Sequence, residues 1–96
     1  MNQAVFYTDT FPCLIRDRER ILYKGKALSL TTVNVQGLFD ILPNHSNFIS
    51  IIKDKLDILS PDGKTLSVPV TRAILKVFEG DVKVYLGIFS SISKKS

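Results

Sequence analysis

Apolar and polar residues alternate with a period of two along most of this chain, and turn-forming residues interrupt the alternation at short intervals. Phe11, Cys13 and Ile15 alternate with Pro12, Leu14 and Arg16, the pattern of a strand with one buried face. Pro12 suits a strand start or an edge, because it cannot donate to a ladder. Arg16 to Arg20 reads as a charged turn. Ile21-Leu22-Tyr23 resumes a strand, and Lys24-Gly25-Lys26 interrupts it at a bulge or bend. Ala27 to Val35 reads as one long strand rich in Thr and Val, which suit a pleated surface. Leu28, Leu30, Thr32 and Asn34 occupy one of its sides and Ala27, Ser29, Thr31, Val33 and Val35 the other. Gln36-Gly37 turns the chain, Leu38 to Leu42 is a short apolar strand, and Pro43-Asn44-His45 ends it as a corner. Phe48 to Ile52 is the next strand, with a turn at Lys53-Asp54.

Two hairpins follow. Leu56 to Leu59 and Lys64 to Val70 flank Ser60-Pro61-Asp62-Gly63, and Asp-Gly between apolar runs marks a hairpin because Gly tolerates the positive φ such turns need. Thr71-Arg72 reverses the chain again. Ala73 to Phe78 and Val82 to Ile88 then flank Glu79-Gly80-Asp81, with Leu75, Val77, Val82, Val84 and Leu86 on one face and Lys76, Lys83 and Tyr85 on the other. No window keeps a helical period over three turns. The pattern predicts an all-β domain, a small flattened β-sandwich or barrel of about eight to ten mostly antiparallel strands. Residues 1–10 form an N-terminal arm, with Ala4 to Tyr7 as a candidate edge strand. Residues 11–88 are the sandwich, and residues 89–96 are a C-terminal tail.

Composition narrows the class. A chain of 96 residues makes one domain, and a domain of that size buries only about 60–65% of its unfolded surface, so its stability is modest. Hydrophobic residues make up 45% and charged residues 23% of the chain, which is ordinary for a globular protein. No apolar run approaches the roughly 20 residues of a membrane span, and the N-terminus lacks the basic and apolar regions of a signal peptide. The lone Cys13 excludes an internal disulfide and fits a reducing compartment; within the apolar run Phe11 to Ile15 it reads as a small buried hydrophobe. The net charge of +4 raises nucleic acid as a partner. Most of the excess is interleaved with acids in Arg16-Asp17-Arg18-Glu19-Arg20, continues to Lys24 and Lys26, and ends in a short tail at Lys94-Lys95, so a solvated face explains it better.

The inventory for catalysis is thin. His45 is the only histidine, so no His/Cys cluster has metal-ligand spacing. Ser46 adjoins it in sequence, which is poor geometry for a nucleophile and its base. Asp54, Asp57, Asp62, Glu79 and Asp81 fall at expected turns or on a polar face, where such residues bond local backbone. The five glycines stand apart, and none builds a phosphate loop. Tyr85 with Lys76 and Lys83 on one face is a faint echo of an RNA-binding sheet, which carries interleaved aromatics and cations. The residues alone describe a small β interaction module without an active site or cofactor, centred on Gly37-Leu38-Phe39-Asp40-Ile41-Leu42-Pro43-Asn44-His45.

Three segments resemble the epsilon subunit of rotary ATP synthases. Ile21-Leu22-Tyr23-Lys24-Gly25-Lys26-Ala27 is similar to the family's early strand-and-glycine motif. Gly37 with Ile41, Pro43 and His45 resembles its most characteristic stretch, usually Glu-Gly, a second Gly, then Ile-x-Pro-Gly-His. Ala73-Ile74-Leu75-Lys76-Val77 followed by Val82-Lys83-Val84 resembles its penultimate hairpin. The segments come in the family's order and cover about Phe11 to Gly87. There are departures: Gln36 stands for the usual Glu, Asp40 and Asn44 stand where Gly is usual, Arg72-Ala73 replaces a common Gly-Gly, and Asp17-Arg18 a usual Thr-Pro.

The resemblance implies a β-sandwich that acts as a non-catalytic rotor subunit. It would bind the gamma subunit and rest on the c-ring at the cytoplasmic face of a bacterial inner membrane, without a stable homo-oligomer. It implies c-ring-facing loops at Gly37, Leu38, Pro43, Asn44 and His45, and a gamma-facing side near Ser50. The family commonly continues into a helical hairpin that latches or binds ATP. This sequence ends at Ser96, so the expectation is neither latch nor nucleotide site, either in a variant lacking the hairpin or in the β domain alone. A β-sandwich interaction or regulatory module outside the ATP synthase is the alternative.

Overall fold

The alternation at residues 11–16 becomes strand β1 (Phe11–Arg16), whose Phe11, Cys13 and Ile15 are buried in the computed structural model, which describes residues 9–87. The other strands are β2 (Ile21–Ala27), β3 (Ser29–Asn34), β4 (Gly37–Ile41), β5 (Phe48–Leu59), β6 (Thr65–Phe78) and β7 (Asp81–Leu86). They hydrogen-bond in the order β2-β1-β7-β6-β5-β3-β4. Every pairing is antiparallel except β1 with β7. The all-β, mostly antiparallel class is the one the pattern predicts.

The long strands β5 and β6, of 12 and 14 residues, make the sandwich. The first half of β5, Phe48 to Ile52, pairs with Val77 to Ala73 of β6, in the layer that holds β7, β1 and β2. The second half pairs with Val70 to Thr65 of β6 on one side and with β3 on the other. Inward residues of both halves, such as Ile52, Leu56 and Ile58 of β5 and Val70, Ala73 and Leu75 of β6, belong to one buried cluster with β1, β3, β4 and β7. The sheet therefore folds on itself around a single core.

This architecture corrects four local expectations. Lys53-Asp54 is not a turn: β5 runs through it, the register slips between Ile52 and Asp54, and Asp54 takes a left-handed φ of 71°. Thr71-Arg72 does not reverse the chain, because those residues are the excess of β6 across the same slip. A polar pair inside an apolar run marks a bulge as readily as a turn, and here both halves find partners, so the chain bends instead of reversing. The two fusions leave seven strands among the described residues. Lys24-Gly25-Lys26 does not interrupt β2; Gly25 pairs with Cys13 in regular register. The Tyr23 side chain lies beside Gly25, its hydroxyl oxygen 3.6 Å and its nearest ring carbon 3.7 Å from where a Cβ would stand, and the hydroxyl donates to the Lys26 carbonyl at 2.6 Å. Lastly, Ala27 to Val35 divides at Leu28. Ala27 and Leu30 are both buried although an odd number of residues apart, so the chain flips faces as it leaves β2 for β3 in the other layer. The Leu28 N–H donates to the Leu59 carbonyl at 2.8 Å and anchors the crossing.

Turn chemistry follows local rules. Glu79 and Gly80 take φ of 50° and 84° between the paired Phe78 and Asp81, the two-residue hairpin whose twist matches the strands. Cys13 is buried as expected, and burial pushes its thiol up to about 12. The candidate strand Ala4 to Tyr7, the end of the second hairpin at Ile88 and the tail 89–96 lie outside the described residues.

Two aspartates give the fold a pH dependence. The Asp17 carboxylate accepts the Glu19 and Arg20 N–H groups, each at 2.8 Å, and these bonds hold it below the ordinary aspartate value. Asp62 is lowered by the Ser60 hydroxyl, which donates to it, and by the Lys64 N–H at 3.1 Å. A carboxyl lowered in the folded state contributes stability above its unfolded value and loses that contribution as pH falls through the folded one. The melting temperature should therefore decline as pH drops below about 4. The double variant Asp17→Asn, Asp62→Asn should show a shallower decline in acid melts; an unchanged slope would contradict the assignment.

Candidate functional site

The β3–β4 turn, the loop between β4 and β5, and the first half of β5 surround an open concavity of about 1030 Å³. Asn34 organises its first wall. Its Oδ1 accepts the Gln36 N–H at 2.9 Å, which closes the turn at Val35-Gln36, and its Nδ2 donates to Ser50 Oγ at 3.1 Å. Val35 therefore leaves the strand expected for it and stands 92% exposed at the turn. Gly37 then opens β4 at a φ of 119°.

The second wall is the corner. Ile41 is buried at the end of β4, and Pro43 is half-buried. Asn44 takes a φ of 69°. Asn tolerates this left-handed conformation better than other residues with a Cβ, so the corner forms where glycine is the commoner solution. Asp40 does not turn at all. It pairs with Thr31 in the β3–β4 ladder and accepts its hydroxyl at 2.7 Å.

His45 is exposed and tilts over the Phe48 ring at a centroid distance of 5.0 Å. Its Nδ1 lies 3.0 Å from the Ser46 carbonyl; a carbonyl only accepts, so the contact needs the proton on Nδ1. Phe48 meets Phe39 edge to face at 6.1 Å, and this pair forms the floor. Asn47 Oδ1 accepts the Glu79 N–H at 2.8 Å and ties the loop to the β6–β7 hairpin.

Of the residues singled out from the sequence, Gly37, Leu38, His45 and Ser50 line this one concavity, and Pro43 and Asn44 shape the loop behind it. The lining also includes residues the sequence reading passed over: Val35, Ile49 and Ile51. Leu38 and Ile49 are 65% and 68% exposed, and Ile51 is exposed as well. The signal for the isoleucines was present. Phe48-Ile49-Ser50-Ile51-Ile52 is apolar on both sides of a strand, and such a strand is covered on both faces or left with an apolar face outward.

Chemically the arrangement offers apolar contact with a few fixed polar groups. The hydrogen bond to its neighbour's carbonyl occupies Nδ1 of His45, and among the described residues no contact joins its ring to a hydroxyl or a carboxylate. Among the described residues no three His, Cys, Asp or Glu side chains converge as a metal ion needs.

Known proteins give this geometry a context. The sequence model of the family described as "ATP synthase, Delta/Epsilon chain, beta-sandwich domain" matches residues 10–84. An ATP synthase epsilon chain of Clostridium kluyveri is 33% identical over 72 residues, 74% of this chain and 53% of its own length. One from a Nitratiruptor species is 31% identical over 72 residues, 74% of this chain and 56% of its own. The chain thus spans about half the length of the curated relatives it matches.

Among solved structures, a chain of the Euglena gracilis mitochondrial ATP synthase superposes with a TM-score of 0.75 at 11% identity, covering 91% of this chain and 61% of that one. A chain from the central stalk and c-ring of the Tetrahymena thermophila mitochondrial enzyme gives 0.68 at 10% identity, covering 78% and 61%. At those identities the structural likeness establishes the fold, and the sequence matches establish the family. With the family model spanning nearly all the described residues, this chain belongs to the ATP synthase delta/epsilon family and carries its β-sandwich domain.

Proposed function

We propose that this domain is a non-catalytic central-stalk piece of a rotary ion-translocating ATP synthase. It binds the gamma subunit and touches the c-ring, at the cytoplasmic face of a bacterial membrane. The single observation that carries the reading is the concavity. Leu38, Ile49 and Ile51 present apolar surface to solvent on loops and strands that hydrogen bonds hold in place. Contiguous exposed apolar surface on a small domain marks a protein contact, and the cores of such contacts are depleted in charge. The ATP synthase assemblies that contain the two structural neighbours, one of them a central stalk with its c-ring, and the bacterial origin of the relatives support the assignment.

The work asked of such a piece is mechanical. Ion flow turns the ring, and the foot must pass torque to gamma without deforming. A sheet folded around one core, with its loops tied by Asn34 and Asn47, suits that demand.

Co-expression with gamma and c subunits tests the proposal. The wild-type chain should co-purify with both. Leu38→Asp should abolish capture, and His45→Ala should weaken it, because both side chains are exposed at the concavity. Surface changes of this kind alter stability by only about 0.5 kcal/mol, so both variants should melt close to wild type. A wild-type chain that ignores gamma at micromolar concentration would refute the reading.

A further inference from the structure

A second surface lies on the outer face of the layer built from β2, β1, β7, β6 and the first half of β5. Directly opposed residues of neighbouring strands share a face. The register sets Lys24 opposite Leu14, Leu14 beside Lys83, Lys83 opposite Lys76, and Lys76 opposite Ile49. One step along, Arg16 stands beside Tyr85, Tyr85 opposite Ile74, and Ile74 opposite Ile51. The neighbours of these residues along each strand, such as Cys13, Val84, Leu75 and Ile52, are buried, so both rows point outward. The result is a row that carries three lysines with Leu14 and Ile49 among them, beside a row that begins at Arg16 and continues through Tyr85, Ile74 and Ile51.

The cations are not neutralised within the described residues. Lys24 and Lys83 form no ion pair there, and Lys76 only lies 5.7 Å from the Phe78 ring centroid. Like charges directly opposite in a sheet are unfavourable, and Lys83 faces Lys76. The acid at the start of β7, Asp81, stands a row away, opposite Phe78. A bound anionic group would relieve the repulsion.

We infer that this face docks an acidic amphipathic segment of a partner protein, with carboxylates on the lysine row and aliphatic side chains on the row of Tyr85, Ile74 and Ile51. Charge complementarity selects the acidic stripe. The rows are about 7 Å apart, two residues along a strand, so one segment can cover both. The apolar row supplies mainly aliphatic side chains and one tyrosine, where a nucleic-acid platform supplies stacked aromatics. Leu14, Ile74 and Tyr85 are half-buried, and the exposed Ile49 and Ile51 stand only at the β5 end of the rows, so the face lacks the broad protruding apolar stripe that a membrane-seated surface inserts. Ile49 and Ile51 are shared with the rim of the concavity, whereas Lys24, Lys83, Lys76, Tyr85 and Ile74 lie outside it, so the lysine variants test this face separately from the rotor reading.

The test titrates the full chain into a fluorescently labelled synthetic peptide with Glu along one helical stripe and Leu along the adjoining one, followed by anisotropy. Lys76→Glu with Lys83→Glu should weaken binding at least about tenfold. Lys53→Glu with Lys64→Glu, the same change in net charge elsewhere, should alter it by less than about twofold. A peptide with Gln for Glu should lose affinity like the first variant. Lys83→Glu alone places opposite charges across the β6–β7 pair, so it should melt no lower than wild type while binding more weakly, which separates docking from folding. Equal losses from the two double variants would reduce the effect to net charge and overturn the proposal. So would tighter binding to phosphatidylglycerol vesicles or to poly(U) RNA than to the peptide, with the same lysine dependence.

Discussion

Leu56→Ala is expected to lower the unfolding free energy by about 2–5 kcal/mol, the largest effect of any single truncation argued for this fold. Leu56 is fully buried and stands where β5 has partners on both sides, opposite Thr32 of β3 and Val68 of β6. It also follows the bulge directly, so the backbone around it is fixed by two ladders and a bend. A site held in that way cannot collapse into the space a truncated side chain leaves, and the cost of the cavity adds to the lost transfer energy. A domain this small has about 5–15 kcal/mol to lose. Each kcal/mol moves its melting temperature by roughly 4–8 °C. Thermal and urea unfolding of the variant should therefore show a fall of about 10 °C or more. A fall under about 4 °C, less than 1 kcal/mol, would mean that the layers repack freely and that the bulge does not fix them.

Thr32→Val should cost about 1–3 kcal/mol although it preserves shape. Among the described residues Thr32 is the one buried polar side chain, and its hydroxyl donates to the Lys55 carbonyl at 2.6 Å. The reason lies in the register. Between Thr32, opposite Leu56, and Val33, opposite Lys53, β5 has the extra residues Asp54 and Lys55, with no β3 backbone facing them. The Lys55 carbonyl thereby loses its ladder partner, and the Thr32 hydroxyl takes that place. Valine removes the donor and leaves the carbonyl unpaired. Thr32→Ser should retain most of the stability, since it keeps the hydroxyl. Urea unfolding with an unchanged m-value is the readout; Val and Ser variants of equal stability would show that the bond contributes nothing.

The candidate site was partly visible before the fold. Gly37, Leu38 and His45 stood out because a glycine, a short apolar run and a Pro-Asn-His corner are local signals, and the concavity gathers them. Ser50 was expected on another side of the body. The Asn34 side chain brings it beside the β3–β4 turn, across sixteen residues of sequence, and no local pattern encodes that contact. The β-branched side chain of Val35 favours a strand, yet the Asn34 carboxamide closes the turn one residue earlier than the Gln36-Gly37 pair suggests. Local propensity yielded there to a specific hydrogen bond.

Local pattern sufficed for the all-β class, the hairpins at Asp62-Gly63 and Glu79-Gly80, the buried faces of β1, β7 and the second half of β6, and the corner at Pro43-Asn44-His45. Each depends on period-two alternation or on the φ a turn demands, and both are properties of a few adjacent residues. Long-range pairing makes Lys53-Asp54 and Thr71-Arg72 bend strands instead of ending them, because a bulge differs from a turn by where the chain finds its next partner. It also decides the order β2-β1-β7-β6-β5-β3-β4. The parallel pairing of β1 with β7 joins segments that are distant in the chain, and it is that pairing which aligns Lys24, Lys83 and Lys76 in one row. Sheet order is set by the closure of a common core, and the surface rows inherit it.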